Sequence, residues 1–551
     1  MLEACPPRFD DEDFRALGLL PPVVRTCGAV VPATVSDALD EAVCNHPNRE
    51  ALIDRYRRFT FSELDAEIDA AAAALVSLGA QPGDRVAATG QNATNLVVAF
   101  HAVQRVGAIW VGIGKPLKAA DKAVQLRDCG VSLYLADADA MAELTPLRDT
   151  LPDLRHIVGI DPTTGDWSRV LADHAGRDFP RPSIDPFAPA LISYTSGTTG
   201  RPKGTVHSQY NLVVATRSPI SGVARLGCAL AMTTGNIMIN HGLGALRHGQ
   251  ALICMDRLDA QGVLEWVAAE AIDGFRVPPP ILYDLLTKPD YAAVDLSGLL
   301  YLATAGAPPS ARLIELFEAR MGRPLVNAYG LTEAPGVVTE LDPRDGWQEG
   351  MIGRPLPHLD VGILDDQDRE VAPGETGEIA VRAIQHGEWA GAYTPMLGYW
   401  KQPEVTAQAL AGGWLHTGDM GFRDERGCYY VNGRRSEMIL RGGTNIYPAE
   451  VERELQGDTR IRETVVVGIP DERLGETVGC AVEYVFGSDA VQLETDLRAI
   501  ATAALPRYKR PAVWFVAPAL PRNHMGKINR KEVRQLLLEV LNAERDESSY
   551  N

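Results

Sequence analysis

The segment Thr195-Ser-Gly-Thr-Thr-Gly-Arg-Pro-Lys-Gly204 gathers four hydroxyl side chains, three glycines and a lysine into ten residues. Hydroxyls, unshielded backbone N–H groups and one cation suit a clasp around a polyphosphate. The spacing is not the G-x-x-x-x-G-K-[ST] of the common nucleotide loop, because Lys203 follows Arg-Pro and precedes glycine. A serine-hydrolase elbow at Ser196 is excluded, since it requires glycine at 194, where tyrosine stands.

Such a loop needs rigid elements on either side. The apolar run ALISYT (190–195) precedes it as a strand, and SQYNLVVAT (208–216) follows with a helical pattern. The loop is therefore expected to join strand to helix, where backbone N–H groups point at an anion. Upstream, Leu64, Ile68, Ala71, Leu75 and Leu78 fall at helical spacing, with Ser62 and Asp65 as the capping pair and Gly79 as the stop. RVAATG (85–90), NATNLVVAFHAVQRV (92–106) and AIWVGIG (108–114) read as strand, helix, strand. This alternation predicts parallel sheet covered by helices. From about 350 the chain is rich in Gly and Pro and reads as short strands and turns. Beyond about 436 a smaller α+β unit is expected, with strands at 464–469, 480–486 and 512–517 and helices near 448–456, 494–504 and 529–544. The boundary falls near Gly433–Glu437, giving units 1–435 and 436–551.

Composition narrows the class. The 551 residues carry a formal net charge of -19, which disfavours a broad nucleic-acid surface while leaving local anion sites open. No apolar run reaches the ~18 residues of a membrane span. The acidic N-terminus lacks a signal pattern, and the eight cysteines are scattered without a CxxC pair. An enzyme of a reducing cytoplasm is expected, monomeric or homodimeric.

Further blocks follow the loop in order: TAGAPPS (304–310), NAYGLTE (327–333), PGETGEIAVR (373–382), GYWKQPEVTAQAL (398–410), WLHTGDMG (414–421), NGRRSEMILRGGTNIYPAEVE (432–452) and PRNHMGKINR (521–530). Taken singly, Glu333 and Asp419 are solvated carboxylates and Lys527 an ordinary lysine at a helix entry. Taken in this order, the blocks resemble the signature of the adenylate-forming superfamily: acyl-CoA synthetases, adenylation domains and firefly-type luciferases. The resemblance covers about 190 to 530. It implies an α/β protein with a large N-terminal adenylation domain of several subdomains (parallel sheets with helices and a small β-barrel-like part). A smaller, mobile α+β C-terminal domain carries the catalytic lysine.

The resemblance also implies residue roles. Thr195, Ser196, Gly197, Thr198, Thr199, Gly200 and Lys203 would hold the β- and γ-phosphates of ATP. Gly306, Ala307 and Pro308 would line the adenine slot, and Asn327, Tyr329 and Gly330 would lie against the nucleotide. Thr332 would touch the α-phosphate, Glu333 would bind Mg²⁺, and Asp419 and Arg434 would reach the ribose. Lys527 would be the catalytic cation. Gly442 and Gly443 would approach the site for thiol capture, with Arg510 near the CoA nucleotide. Ser436 stands where relatives carry Asp or Lys at the hinge, and Thr444 replaces a common Glu. His241 would gate an acyl pocket formed by 235–241, 276–283, 304–306 and 334–338. That pocket lacks the Asp that pairs an α-amino group. Its apolar residues favour an aromatic, alicyclic or medium-chain acid, as in an AMP-forming acyl-CoA ligase. Arg276 is its one charge. It is expected outside the pocket, because a buried arginine without a partner is costly; the alternative pairs it with a second substrate carboxylate. Loading of a carrier-protein phosphopantetheine, a luciferase-like oxidation and a non-catalytic ligand-binding relative are the competing readings.

Overall fold

The computed structural model describes residues 9–22, 27, 32–163, 165–176, 179–195, 202–292, 294–304, 309–387, 389–392, 395–485, 487–522 and 527–549. Among them the strands form four sheets. Two are mainly parallel. One orders Tyr301–Thr304, Gly274–Val277, Arg225–Cys228, Ala251–Cys254 and Glu50–Ile53 in parallel, with Arg58–Thr60 antiparallel at its edge. The other runs parallel through Pro189–Thr195, Ile109–Gly112, Arg85–Thr89, Leu133–Ala136 and His156–Gly159. The helix Thr94–Val106 is buried along its whole length. A helix covered on every side belongs inside a layered core, and it shares one core with residues of both sheets, Trp110 and Leu252 among them. Its single guanidinium, Arg105, is paid for by Asp65 and Asp69.

Strand, helix, strand over 85–112 matches the alternation in the sequence, with each element one to three residues shorter than its apolar run. The helix after Thr60 begins earlier than expected. Thr60 and Glu63 form the reciprocal cap, not Ser62 and Asp65. Phe61 is why: it is fully buried and extends the stripe Leu64, Ile68, Ala71 and Leu75 by one turn.

The opening loop also differs from expectation. It joins Pro189–Thr195 to a second strand, Lys203–Ser208, which returns antiparallel with Lys203 opposite Thr195. The helix Gln209–Ala215 starts only after Ser208 caps it. The β-branched pair Thr205 and Val206 favours strand over helix, so the chain returns along the sheet before any helix begins.

A seven-stranded antiparallel sheet occupies 328–434. The last sheet is built from Ile439–Arg441, Thr444–Ile446, Ile461–Asp471, Gly475–Tyr484 and Val513–Ala517, with two apolar cores of its own. Its helices are Pro448–Leu455, Ala490–Ala504 and Arg530–Ser549.

One close approach fixes the wall between the parallel sheets and the segment that follows Thr233. A Cβ at Gly112 would fall inside the van der Waals shell of the Thr233 carbonyl oxygen. That neighbour is backbone and cannot rotate away. Gly112→Ala should lower stability by about 1–3 kcal/mol, the usual cost of overpacking. Denaturant unfolding of the two proteins measures it; identical midpoints would contradict the contact.

Candidate active site

The site is assembled at the tip of a hairpin. Ala328–Leu331 and Ala334–Glu340 pair antiparallel with Leu331 opposite Ala334, so Thr332 and Glu333 form a two-residue turn. Three groups pin it. His207 Nε2–H donates to the Thr332 carbonyl at 2.8 Å, Met396 N–H donates to the Glu333 carbonyl at 2.9 Å, and Tyr399 OH donates to Glu333 Oε1 at 2.8 Å. His207 is neutral, since burial pushes its pKa down to about 4 against the pull of the Thr332 carbonyl. Asn211 Nδ2 donates to its other nitrogen at 3.2 Å. Lys203 Nζ sits 5.0 Å from the centroid of the Tyr399 ring. Lysine, tyrosine and glutamate therefore form a chain from the hydroxyl-rich hairpin to the turn. Burial and the Glu333 charge both raise the Tyr399 pKa, keeping the phenol a donor.

The second centre is Asp419. Its strand Leu415–Arg423 pairs with Tyr429–Arg434, placing Asp419 opposite Arg434. Arg434 Nε lies 3.0 Å from Asp419 Oδ1, and Tyr329 OH donates to Oδ2. Burial and the Asp419 charge raise the Tyr329 pKa well above that of a free phenol. For Arg434 burial acts to lower the pKa, but Asp419, Tyr329 and Glu333 outweigh it, and the group is held more firmly charged.

Lys527 comes to the same place from the last unit. Its pKa is lowered by burial and by the Arg434 charge, and partly restored by Asp419. The residue keeps a solvent-exposed flank, as a side chain lining an open cleft does. The segment holding it is tied down three residues later. Arg530 donates to Glu452 Oε1 at 2.9 Å and to the Val466 carbonyl at 2.7 Å, and its Nε lies 3.3 Å from Glu437 Oε2 beside Ser436.

His241 lies apart from these groups, in a π-helical turn Met238–Leu243. It is buried, its Nδ1 is 3.3 Å from the Ile237 carbonyl, and its Nε2 has no hydrogen-bond partner. Burial, then the Arg276 charge, push its pKa down to about 3, so it is a neutral imidazole. Asn236 Nδ2 donates to the Leu331 carbonyl at 3.3 Å, joining this segment to the hairpin turn.

Thus Lys203, Tyr329, Thr332, Glu333, Asp419, Arg434 and Lys527 are brought into one neighbourhood. Thr195 lies opposite Lys203 at the hairpin mouth. Asn327 is on the approach to the same strand, with Nδ2 donating to the Met351 carbonyl at 3.3 Å. Gly330 allows close passage, since a Cβ there would press on the Gly336 carbonyl. Ser196, Gly197, Thr198, Thr199, Gly200, Gly306, Ala307 and Pro308 lie outside the described residues.

Besides His241, three candidates are not gathered here. Gly442 and Gly443 form an exposed two-residue turn between Ile439–Arg441 and Thr444–Ile446, with φ of 57° and 83°. A two-residue hairpin turn with positive φ at both positions itself calls for glycine. Arg510 donates to the carbonyls of Leu505 and Thr502 at 2.8 and 2.7 Å, closing the end of the helix Ala490–Ala504. Its neighbour Lys509 is paired with Glu450 at 2.5 Å. His207 and Tyr399 were missed as site residues, although both stand inside or beside quoted blocks: His207 three residues after the loop, Tyr399 in GYWKQPE.

A hard cation fits beside Glu333. No cluster of three or more metal-ligating side chains exists among the described residues. A single carboxylate with phosphate oxygens and water is nevertheless a usual Mg²⁺ environment.

A large unit of parallel sheets, a carboxylate held by a phenol and a guanidinium, and a lysine delivered by a small unit define a two-part nucleotide-binding enzyme. The chain matches the family model of AMP-binding enzymes over residues 39–400 and that of the AMP-binding enzyme C-terminal domain over 450–527. It belongs to the AMP-binding enzyme family. It is 32% identical over 514 residues to the indoleacetate–CoA ligase of Aromatoleum aromaticum, covering 91% of this chain and 98% of the relative. It is 30% identical over 509 residues to a fatty acid–[acyl-carrier-protein] ligase of Streptomyces coeruleorubidus, covering 89% and 94%. Among solved structures, the o-succinylbenzoate CoA synthetase of Bacillus subtilis with its acyl-adenylate intermediate matches with a TM-score of 0.78 at 26% identity, covering 90% of this chain and 97% of that one.

The brace behind Lys527 is testable. Glu452→Ala leaves Arg530 with only its outer carboxylate, Glu437. Stability should fall by about 2–3 kcal/mol, below the ~3–5 kcal/mol of a fully buried broken pair. Urea unfolding of the intact chain reads this, and an unchanged transition would remove Arg530 from its bracing role.

Proposed function

We propose that the protein joins a hydrophobic carboxylic acid to the thiol of CoA through an acyl-adenylate, releasing AMP and pyrophosphate. It is an acid–thiol ligase of the AMP-forming kind, using ATP, Mg²⁺ and CoA. The carrying observation is the convergence of Lys527 on Asp419 and Arg434, next to the pinned turn Thr332–Glu333. We place the division between the two units at 435/436, with the small unit able to pivot there. The free cysteines among the described residues fit a reducing compartment.

The chemistry follows from charge. An acid carboxylate must attack the α-phosphate of ATP, so two anions must meet. Mg²⁺, when bound at Glu333, draws negative charge toward the departing pyrophosphate. Lys203, anchored over Tyr399, stands where the terminal phosphates would lie. Asp419 has two of its acceptor positions used by Tyr329 and Arg434; the rest can take ribose hydroxyls. Thr332 can donate its hydroxyl to the α-phosphate. Lys527 bridges the incoming carboxylate and the α-phosphate oxygens, neutralising charge where it gathers in the transition state. The apolar lining around Ile237, Met238, Pro279, Pro280 and Val337 supports an aromatic, alicyclic or medium-chain acyl group.

A second reading, transfer to a carrier-protein phosphopantetheine, is favoured by one observation. The basic stretch at 507–510 is partly committed: Lys509 to Glu450 and Arg510 to carbonyls. That leaves less charge for the CoA 3′-phosphate.

Supplying an acid panel with ATP, Mg²⁺ and either CoA or a phosphopantetheinylated carrier should yield AMP, pyrophosphate and a thioester. Formation of ADP, or no turnover with any acid, would overturn the ligase reading; a thioester on the carrier alone would select the second. Lys527→Ala should cut adenylate formation by about 10²–10³-fold or more, the scale of a lost oxyanion donor. Thiol capture of a pre-made adenylate should be largely spared, and equal loss of both steps would contradict a lysine that serves only one. The lowered Lys527 pKa sets a pH dependence: the cation is lost below the ~10.4 of an ordinary lysine. Adenylation should therefore decline at correspondingly lower alkaline pH. Lys527→Arg, charged throughout, should move that decline upward; an unmoved profile would assign it to another group.

A further inference from the structure

Strand parity places Arg276 on an unexpected face. In Gly274–Val277, Phe275 and Val277 point into the core shared with Leu282 and Phe317. Arg276 is on the opposite face, in register with Cys228 and Ala303. Cys228 belongs to the core that contains Met238 and Ile239 of the π-helical turn. Arg276 therefore stands between its sheet and the segment carrying His241. It is also near the C-terminal end of a parallel strand, where open α/β sheets receive ligands. Its neighbour Tyr301–Thr304 runs parallel beside it and ends at Thr304, in register with Val277.

The guanidinium is oriented but not neutralised. Its Nε donates to Tyr301 OH at 2.7 Å, and its carbon lies 5.3 Å from the Tyr301 ring centroid. No carboxylate among the described residues pairs with it. Across from this face His241 Nε2 is buried and unpartnered. Two polar groups facing one another among apolar residues would fix the orientation of a ligand bound between them. Because Nδ1–H of the neutral imidazole is directed at the Ile237 carbonyl, Nε2 offers a lone pair. Arg276 offers only donors.

We propose that Arg276, aimed by Tyr301, selects acids whose acyl body carries a second oxygen function away from the carboxylate that is activated. This rests on the acyl-ligase reading and narrows it: the body remains apolar, but its far side bears a hydroxyl, carbonyl or carboxylate oxygen. Hydrogen bonds to a charged group discriminate by roughly ten- to a hundredfold.

The test compares kcat/KM for pyrophosphate release with cyclohexanecarboxylate and its 4-hydroxy, 4-oxo and 4-carboxy derivatives. In the unaltered protein at least one oxygenated acid should exceed the parent about tenfold or more. Whichever leads names the oxygen chemistry, and a leading hydroxyl brings in the lone pair of His241. Arg276→Met should collapse the ratio to near one, and Tyr301→Phe should reduce it in part. Equal loss on every acid, with the ratio intact, would make Arg276 merely structural and overturn the proposal. So would turnover by the unaltered protein without any preference for oxygen. No turnover with any acid is a different failure, of the ligase reading itself, and the inference falls with it.

Discussion

Everything in the cleft is arranged around the burial of one negative charge, the carboxylate of Asp419. A buried carboxylate is stable only when opposite charge or donors meet it. Here a phenol comes from a distant strand of the same sheet, a guanidinium from the strand paired with its own, and the field of a lysine from the small unit. The antiparallel sheet fixes the guanidinium by register, with Asp419 opposite Arg434. The third depends on how the small unit sits. On the proposed reading, a nucleotide entering this cleft would meet a carboxylate already oriented and two cations already balanced by the fold, and such preorganisation is where enzymes gain most of their electrostatic advantage.

The parallel sheets contribute in a different way. They supply no charge to the Asp419 centre. Instead one of them carries Lys203 at the mouth of its hairpin, while Thr332 and Glu333 stand at the tip of a hairpin of the antiparallel sheet. His207 and Tyr399 lock the two together. The buried helix Thr94–Val106 then fixes one parallel sheet against the other. Rigid sheet and anchored turns on one side, and a small unit with cores of its own on the other, are what the proposed pivot at 435/436 would require.

Much of this was legible in the sequence, and the failures have physical reasons. Strand–helix–strand over 85–112 and the strands and helices of the small unit follow from apolar periodicity, which reflects burial directly. The block order indicated Glu333, Asp419 and Lys527, none of which stands out alone. Composition cannot tell what a loop leads into: the hydroxyl-rich loop is expected to join strand to helix, yet Lys203–Ser208 adds a strand before the helix. The cap at Thr60 was missed because Phe61 was not counted in the buried stripe. Arg276 was expected outside the pocket on grounds of cost. Strand parity, invisible until the neighbouring strands are known, puts it on the face turned toward the π-helical turn, where Tyr301 supplies a partner; its place in the pocket is our inference. Gly442 and Gly443 were assigned to thiol access, whereas their positive φ values show a hairpin turn that demands glycine in any case.

The press of Gly112 against the Thr233 carbonyl bears on how such a catalyst diversifies. With no slack at that wall, the backbone leading to His241 cannot be reshaped without dislodging the scaffold. On the proposed reading, new acid preferences would then arise by exchanging side chains at 237, 238, 276 or 301, while the chain path stays put. Libraries confined to those four positions should be richer in active members than libraries that insert or delete residues nearby.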